Sequence, residues 1–284
     1  MSKSFITPHF EGQLGNQLFI IAAALAYSWD FGKEAFFPQL NESRYRLSHH
    51  RERLFFRLNA SQPKAPIQKE FWEKIWFSPE RIPPCAENLQ LYGYFQSWKH
   101  FHHHKEKLLP LFSPHPDTLS HLEKKYPELL SFPETAAIHV RTSMKKAHSK
   151  MPFLGVRYVK DAIELFPKKT KFAVFSDRIN WCKRHLSSLD ADITFIEGND
   201  EVDDLILMSK MKHQVIANST YSWWGAYLNE NPEKKIIAPA TVSINAPTEH
   251  LYFPDWIQLP IHIEPYPADM YDYDAYSQSI DNNE

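Results

Sequence analysis

The second half of the sequence alternates between short apolar runs and amphipathic stretches. The apolar runs predict strands at Thr135–Val140, Lys171–Ser176, Ile193–Glu197, Gln214–Ala217 and Lys234–Ala238, and the stretches between them predict helices at Val156–Phe166, Arg178–Leu186, Val202–Met211 and Tyr221–Asn229. Strands that alternate with helices every twenty-odd residues are typical of a doubly wound parallel sheet. The pattern therefore predicts an α/β domain over residues 134–260.

The first half begins with the same strand–loop–helix order but becomes irregular. It predicts strands at Phe5–Phe10, Glu34–Phe37 and Asn88–Gln96, a loop at Glu11–Asn16, and helices at Gln17–Phe31, Trp98–Leu111 and Asp117–Tyr126. A chain of 284 residues accommodates one large domain or two small ones. We expect a first α/β domain over residues 1–133 and, after the second, an acidic, tyrosine-rich tail over 261–284.

Composition narrows the class of protein. The 32 basic and 34 acidic residues give a net charge of −2, which argues against a strongly basic nucleic-acid binder. The longest apolar stretch, Leu18–Ala26, is far shorter than the roughly twenty residues of a membrane helix. Only Cys85 and Cys182 are cysteines, and they form no pattern. We expect a cytoplasmic protein without a transmembrane segment or nucleic-acid partner.

Polar residues follow several predicted strands, where ligands of parallel sheets bind. Gly12 and Gly15 precede a helix whose free N–H groups can meet a phosphate, although a plain turn explains them equally well. Arg141 can donate two parallel hydrogen bonds to a diphosphate, or it can form a structural ion pair. Asp177 can accept two N–H bonds from a base or cap the next helix.

The densest signal is Asn218–Gly225, where small polar residues open a helix and two tryptophans follow. Hydroxyl and N–H groups in this arrangement can cradle a phosphate, but a helix cap followed by core aromatics has the same pattern.

Three other features favour weaker hypotheses. The basic stretch Arg44–Arg57 predicts a solvated surface or, alternatively, a patch for an anionic acceptor or a membrane surface. The histidines at 100 and 102–104 suggest a metal site, but consecutive side chains on a helix diverge. The pairs Asp190/Asp192 and Asp272/Asp274 match the three-letter D-x-D pattern, which arises often by chance. We expect no metal site.

Six segments together resemble the α1,2-fucosyltransferases of glycosyltransferase family 11. They match the family's motifs in the family's order, and they are Gly12–Phe19, Tyr92–Ser97, His139–Arg141, Phe175–Asp177, Ala217–Ala226 and Phe253–Trp256. The resemblance spans residues 12–256 and implies a GT-B-like fold, with two Rossmann-type domains facing a cleft.

The resemblance also implies an activity and a set of site residues. Members move fucose from GDP-fucose to the 2-hydroxyl of a terminal galactoside, with inversion and without a required metal or cofactor. The second domain would bind GDP-fucose, and the first would shape the site for the galactose-terminated glycan. The implied donor-binding residues are His139 and Asp177 at guanosine, Arg141, Ser219 and Thr220 at the diphosphate, Asn16 near the sugar, and their neighbours Gly15, Asn218 and Tyr221.

The chain departs from the family pattern after Arg141. A second Arg, a Gly and an Asp are replaced by Thr142, Ser143 and Met144. This removes one phosphate ligand and the carboxylate usually suggested as base, so we assign catalysis to Arg141, Asn16 and His148. The departure leaves open a weak or inactive glycan-binding homologue. A peripheral contact with the inner face of a membrane, or with a glycolipid, through Arg44–Arg57 also stays open.

Two further hypotheses follow from single features. The Gly12 loop alone would also suit a nicotinamide oxidoreductase, although the third glycine of that fingerprint is absent. The histidine cluster alone would suit a metalloprotein.

Overall fold

Two parallel β-sheets organise the computed structural model, which describes residues 3–75, 77–142, 151–243 and 248–262. The first sheet contains β1 (Phe5–Pro8), β2 (Glu34–Ala35), β3 (Lys69–Trp72) and β4 (Leu89–Tyr92), in the order β2-β1-β4-β3. The second contains β5 (Thr135–Val140), β6 (Lys171–Ser176), β7 (Asp192–Phe195), β8 (His213–Val215), β9 (Ile236–Pro239) and β10 (Ile257–Leu259), in the order β10-β9-β8-β5-β6-β7.

Nine α-helical segments connect and cover these strands within the described residues. They are α1 (Leu14–Asp30), α2 (Leu47–His50), α3 (Lys105–Leu108), α4 (Pro116–Lys125), α5 (Pro127–Ser131), α6 (Gly155–Ile163), α7 (Ile179–Leu186), α8 (Glu201–Lys210) and α9 (Thr220–Tyr227). The expected α/β class, with a doubly wound second sheet, is confirmed. The strands of the two sheets occupy separate stretches of the chain, but the boundary at residues 133/134 stays a prediction.

Helix α1 joins the two halves of the protein. Its residues are apolar on nearly every side, and Leu14, Gly15 and Gln17–Ser28 are all buried. Phe19 of α1 packs against Trp223 and Trp224 of α9, with ring centroids 4.6 and 5.2 Å apart. All three side chains are at most 1% exposed and belong to one core that reaches both sheets. Apolar burial of this kind supplies the main stabilisation of the fold.

Two local predictions are wrong, and one strand was not predicted. Leu14–Asn16 form the first turn of α1 instead of a loop, because Gly12, with φ of +79°, completes the turn before it. The helix predicted at Trp98–Leu111 is a series of 3-10 turns around α3, interrupted at Phe101, whose φ of −140° is not helical. Strand β3 was not predicted, because its charged and aromatic residues form no apolar run within residues 41–87.

Candidate functional site

Each sheet has one point where the chain reverses its direction of winding. In the second sheet β5 lies between β6 and β8, so the winding reverses between β5 and β8. In the first sheet β1 lies between β2 and β4, so it reverses between β1 and β4. Ligands of open parallel sheets bind at the carboxyl ends of the strands at such points. The candidate site is therefore built from the segments after these four strands.

Arg141 and Asp177 lie side by side because β5 and β6 end at the same level, with Val140 paired to Ser176. Arg141 Nη1 is 3.4 Å from Asp177 Oδ2, and their side chains are 40% and 18% exposed. The other oxygen, Asp177 Oδ1, accepts bonds from the backbone N–H and the hydroxyl of buried Thr142, at 2.9 and 2.8 Å. Asp177 thus holds the 141–142 backbone and leaves much of the Arg141 guanidinium open to the crevice.

His139 is on β5 but faces inward. Its ring lies 5.5 Å from that of Tyr221, and only 5% of the residue is exposed. Burial lowers the pKa of His139 to about 4, and the nearby Arg141 charge acts in the same direction. His139 Nδ1 has no hydrogen-bond partner in the described part of the chain. The imidazole is therefore neutral near pH 7.

The residues after β8 form a capped helix start. Ser219 Oγ accepts the N–H of Tyr221 at 3.3 Å and caps α9. The first turn of α9 contains no acidic residue, so its free N–H groups give this end of the crevice a positive potential. Asn218 is used internally, because its buried side-chain amide donates to the carbonyl of Pro152 at 2.8 Å. Of the hydroxyl groups here, that of Ser219 is the better placed for a ligand, because the Thr220 hydroxyl donates to Asn16 Oδ1.

Asn16 is the residue at which the two halves meet. Its Oδ1 accepts hydrogen bonds from Gln96 Nε2, at 2.9 Å, and from Thr220 Oγ1, at 3.0 Å. Gln96 follows β4 and Thr220 begins α9, so both switch points converge on one amide. With Oδ1 occupied twice, the amide orientation is fixed and Nδ2 is left as a donor.

Gly15 allows this close approach. A Cβ at Gly15 would lie 2.5 Å from the backbone nitrogen of Tyr221 and 2.7 Å from Thr220, closer than real Cβ contacts. Because the atoms in the way are mostly backbone, they cannot move aside cheaply. The glycine is needed here for contact between the halves.

A buried polar relay behind the crevice was not expected from the sequence. Gln17 Nε2 donates to the carbonyl of Gly12 at 3.0 Å, and its Oε1 lies 2.6 Å from His50 Nδ1. His50 Nε2 in turn lies 2.8 Å from Glu201 Oε1, and the Tyr221 hydroxyl donates to the Glu201 carbonyl at 2.6 Å. The relay ties the glycine loop to the starts of α8 and α9. Gln17 was inside a matched motif, but its partner His50 is 33 residues away and belongs to none of the matched motifs.

The hydrogen bonds and charges around Glu201 keep its carboxyl group ionised. Burial alone would raise the pKa of Glu201, but its hydrogen bond and charge interaction with His50, together with Arg46, lower it to about 2. Burial lowers the pKa of His50 despite the same bond. Glu201 is therefore ionised throughout the physiological range.

The basic stretch Arg44–Arg57 is largely engaged with the same chain. Arg53 contacts Asp200 at 2.8 Å and Asp203 at 2.6 Å, and Arg46 pairs with Glu201. These acidic residues form the first turn of α8 and its cap. The stretch is therefore not a simple solvated surface: part of it connects the first half of the chain to the second.

The remaining candidates are not among the residues that the structure brings together at the crevice. His148 and the pair Asp272/Asp274 are outside the described residues. Asp192 begins β7, at the edge of the sheet opposite the crevice, and Asp190 pairs with Lys168 on the surface. His103 and His104 lie 3.1 and 2.7 Å from Asp30, which is the last residue of α1, at the opposite end of that helix from Asn16.

Comparison with known proteins agrees with this architecture. The fold and the crevice define a GT-B-like α/β protein. The family model for glycosyl transferase family 11 matches residues 3–260, and the chain belongs to that family.

Relatives and a solved structure are recognisable at low identity. The chain is 31% identical to an alpha-1,2-colitosyltransferase of Escherichia coli over 62% of its own length and 64% of the relative's. It is 29% identical to the O-antigen biosynthesis glycosyltransferase WbnK of Escherichia coli, over 60% of each chain. It is 24% identical to galactoside alpha-(1,2)-fucosyltransferase 2 of Bos taurus, over 93% of its own length and 81% of the relative's. The chain thus spans less than two thirds of the first two relatives.

Among solved structures, the crystal structure of NodZ alpha-1,6-fucosyltransferase soaked with GDP-fucose superposes with a TM-score of 0.58. The identity is 12%, and the match covers 80% of this chain and 93% of NodZ, so it supports the fold alone. Among the helices described here, none combines the length and the apolar character needed to cross a bilayer.

Proposed function

We propose that this protein transfers L-fucose from GDP-fucose to the 2-hydroxyl of a terminal galactoside, with inversion and without a metal ion. Membership of the family and the names of the relatives support the class of reaction. The single observation that carries the proposal is the convergence at the crevice of Arg141, the start of α9 and Asn16. Together they provide a guanidinium, free N–H groups and one oriented amide.

Arg141 and α9 would stabilise the leaving group. In the reaction, the acceptor oxygen bonds to C1 of fucose while the bond between C1 and the β-phosphate oxygen breaks, and GDP leaves with the electron pair. Negative charge grows on the diphosphate as this bond breaks. Fixed donors placed where the charge develops lower the barrier most, because they gain strength towards the transition state. A guanidinium and a helix start supply the positive field that a metal ion would otherwise supply.

Asn16 would position the donor at the same end of the crevice. Because Gln96 and Thr220 occupy its Oδ1, the Nδ2 group can donate to a sugar hydroxyl or to the bridging oxygen. The acceptor hydroxyl loses its proton as its oxygen bonds to C1. His139, which is buried and neutral, would contact guanosine instead, and His148 stays our hypothesis for the proton acceptor.

Guanosine would bind near the ends of β5 and β6. Asp177 is the carboxylate nearest this place, although Thr142 already donates twice to its Oδ1. Any contact with the guanine edge would therefore use Oδ2, in competition with Arg141. Thr142 does not replace a phosphate ligand, since its hydroxyl is committed to Asp177.

The test combines binding and turnover on the purified protein. We expect GDP to bind at least about tenfold more tightly than UDP, and transfer from GDP-fucose to a simple β-galactoside to continue in EDTA. Equal affinity for the two nucleotides, or reversible loss of turnover in EDTA, would contradict the proposal. GDP-colitose is the second donor to assay, because one relative is named for colitose. Galactoside binding without release of GDP would favour the inactive glycan-binding homologue.

We also propose a cytoplasmic location, which rests on the two cysteines, both free thiols. Arg46 and Arg53 are engaged in internal ion pairs, so a membrane or glycolipid contact would depend on Arg44, Arg51 and Arg57. Co-sedimentation of the protein with anionic vesicles tests this membrane contact.

A further inference from the structure

Three aromatic rings form a row across the first sheet. Trp72 and Tyr92 are paired in register at the ends of β3 and β4, and His9 follows β1 beside them. The rings of Trp72 and Tyr92 are parallel within 2° at a centroid distance of 3.9 Å, and His9 lies 5.2 Å from Tyr92. We call these three residues the aromatic row.

The row lies on the open face of the sheet. Successive strand residues point to opposite faces, so Leu89 and Leu91 of β4 are buried while Tyr92 and Gln90 are partly exposed. Trp72 is 58% exposed. Its indole N–H donates to Glu70 Oε2 at 3.2 Å, which holds the ring flat against Tyr92. A large aromatic side chain kept rigid in water is unusual for a structural role and is typical of a binding surface.

The position of the row connects it to the crevice. Tyr92 is followed directly by the segment whose Gln96 donates to Asn16. His9 stands three residues before Gly12, in the loop that leads to Asn16. The turn after Tyr92 is held in place, because Glu73 Oε2 accepts the backbone N–H groups of Tyr94 and Phe95 at 2.8 and 3.0 Å. The row and the candidate transfer site therefore belong to one continuous edge of the protein.

The chemistry of the row suits a carbohydrate. Three neighbouring strands place the rings across about 10 Å, since strands are spaced by about 4.8 Å. That width accommodates one or two pyranose rings, whose C–H faces are apolar and pack on the electron-rich face of an aromatic ring. Glu70 and Gln90 are paired in register beside the row and offer hydrogen bonds to sugar hydroxyls.

We propose that the aromatic row binds the part of the acceptor glycan that precedes the terminal galactose, and that Trp72 selects acceptors longer than one sugar. This proposal rests on the proposed function, because it takes the first sheet as the acceptor side. It goes further in naming the surface and the class of acceptor.

The first test compares acceptors of different length in the full-length protein. We expect Trp72→Ala to raise the KM for a galactose-terminated tri- or tetrasaccharide about tenfold, with less than a twofold change in kcat, in the KM for methyl β-galactoside and in the KM for GDP-fucose. Trp72→Phe should recover part of the loss. The control is Ile257→Ala, an exposed apolar residue on the edge strand β10 of the other sheet. An unchanged KM for the long acceptor, or an equal rise for both acceptors, would overturn the proposal.

A second measurement needs no turnover, and so separates this proposal from the proposed function. Saturation-transfer NMR on the protein without donor should detect contact with the galactose-terminated oligosaccharide, and Trp72→Ala should lose the signals of the inner sugars. If GDP-fucose is not turned over but these signals are lost, the surface assignment stands and the proposed reaction fails. No signal in the wild type, or the same signal in the variant, overturns the assignment.

Discussion

Thr220 Oγ1 donates to Asn16 Oδ1 at 3.0 Å, although the two residues are 204 positions apart. The bond joins the first turn of α1 to the first turn of α9, and it orients the amide of Asn16 together with Gln96. The catalytic geometry we propose therefore depends on contact between the two halves of the chain as much as on either half.

Asn16→Asp tests the oriented amide. The substitution keeps the size and the acceptor oxygen but replaces the N–H donor with a negatively charged oxygen beside the diphosphate. We expect kcat to fall by roughly 10²-fold or more, the scale for losing one transition-state donor, with a melting temperature close to that of the wild type.

Thr220→Val is the companion change, and it tests whether Asn16 acts through its orientation. It removes one of the two donors to Oδ1, so we expect about a tenfold loss of kcat. Thr220→Ser should restore most of the rate. A valine variant with wild-type kinetics would show that Gln96 alone suffices.

Arg141→Lys tests stabilisation of the leaving group. A lysine keeps the charge but cannot follow the β-phosphate with two parallel bonds. We expect kcat to fall by roughly 10²-fold or more, and folding to survive because the Arg141 side chain is 40% exposed. The matched control is Arg157→Lys, an exposed arginine on α6 that pairs with Asp161. Near-normal turnover in a folded Arg141→Lys variant would make Arg141 structural.

Gly15→Ala tests the close contact of the halves. The added methyl group would sit 2.5 Å from the Tyr221 nitrogen, so α1 and α9 must separate. We expect a loss of about 1–3 kcal/mol in the free energy of unfolding, the usual range for overpacking, and loss of activity. Gly32→Ala is the control: its methyl group meets no atom of the described structure within 4 Å, and only its positive φ of 63° opposes it, at about 1 kcal/mol. If urea denaturation shows equal losses in the free energy of unfolding for the two variants, the steric explanation for Gly15 is wrong.

Acid should destabilise the protein through His139. The pKa of His139 is about 4 in the folded state against 6.5 for an ordinary histidine. As the pH falls, the unfolded chain therefore binds a proton at this residue before the folded protein does. The contribution to stability is therefore complete above pH 6.5 and is lost as the pH falls towards 4, by about 3 kcal/mol in total. Urea denaturation at pH 7, 5.5 and 4.5 should show this decline, and His139→Gln should make it shallower. The rest of the decline includes the contribution of His100, whose pKa burial also lowers to about 4.

The sequence was most informative where strands are buried on both faces. The bounds of β5 and β6 were predicted to the residue, because continuous apolar runs leave little ambiguity. From those bounds the neighbouring positions of Arg141 and Asp177 follow. Strand β3 was missed because an edge strand with Lys69 and Glu70 resembles a loop.

The side-chain pairings between the two halves of the chain could not be predicted from the sequence. The partners of Asn16 are 80 and 204 residues away, and the acidic partners of His50 and Arg53 lie about 150 residues away. Motif order indicates that such segments are present, but not which side chain meets which. Those pairings are set by how the two sheets pack across α1.

The packing of Phe19 between Trp223 and Trp224 limits how this protein can be divided. A fragment ending near residue 133 would expose one face of α1 to water, and a fragment beginning near residue 134 would uncover the faces of Trp223 and Trp224 that Phe19 contacts. The two halves of the chain are thus separate in sequence but share one interior. Exchanging either half with that of a relative would require the α1 and α9 faces to be exchanged as a matched pair.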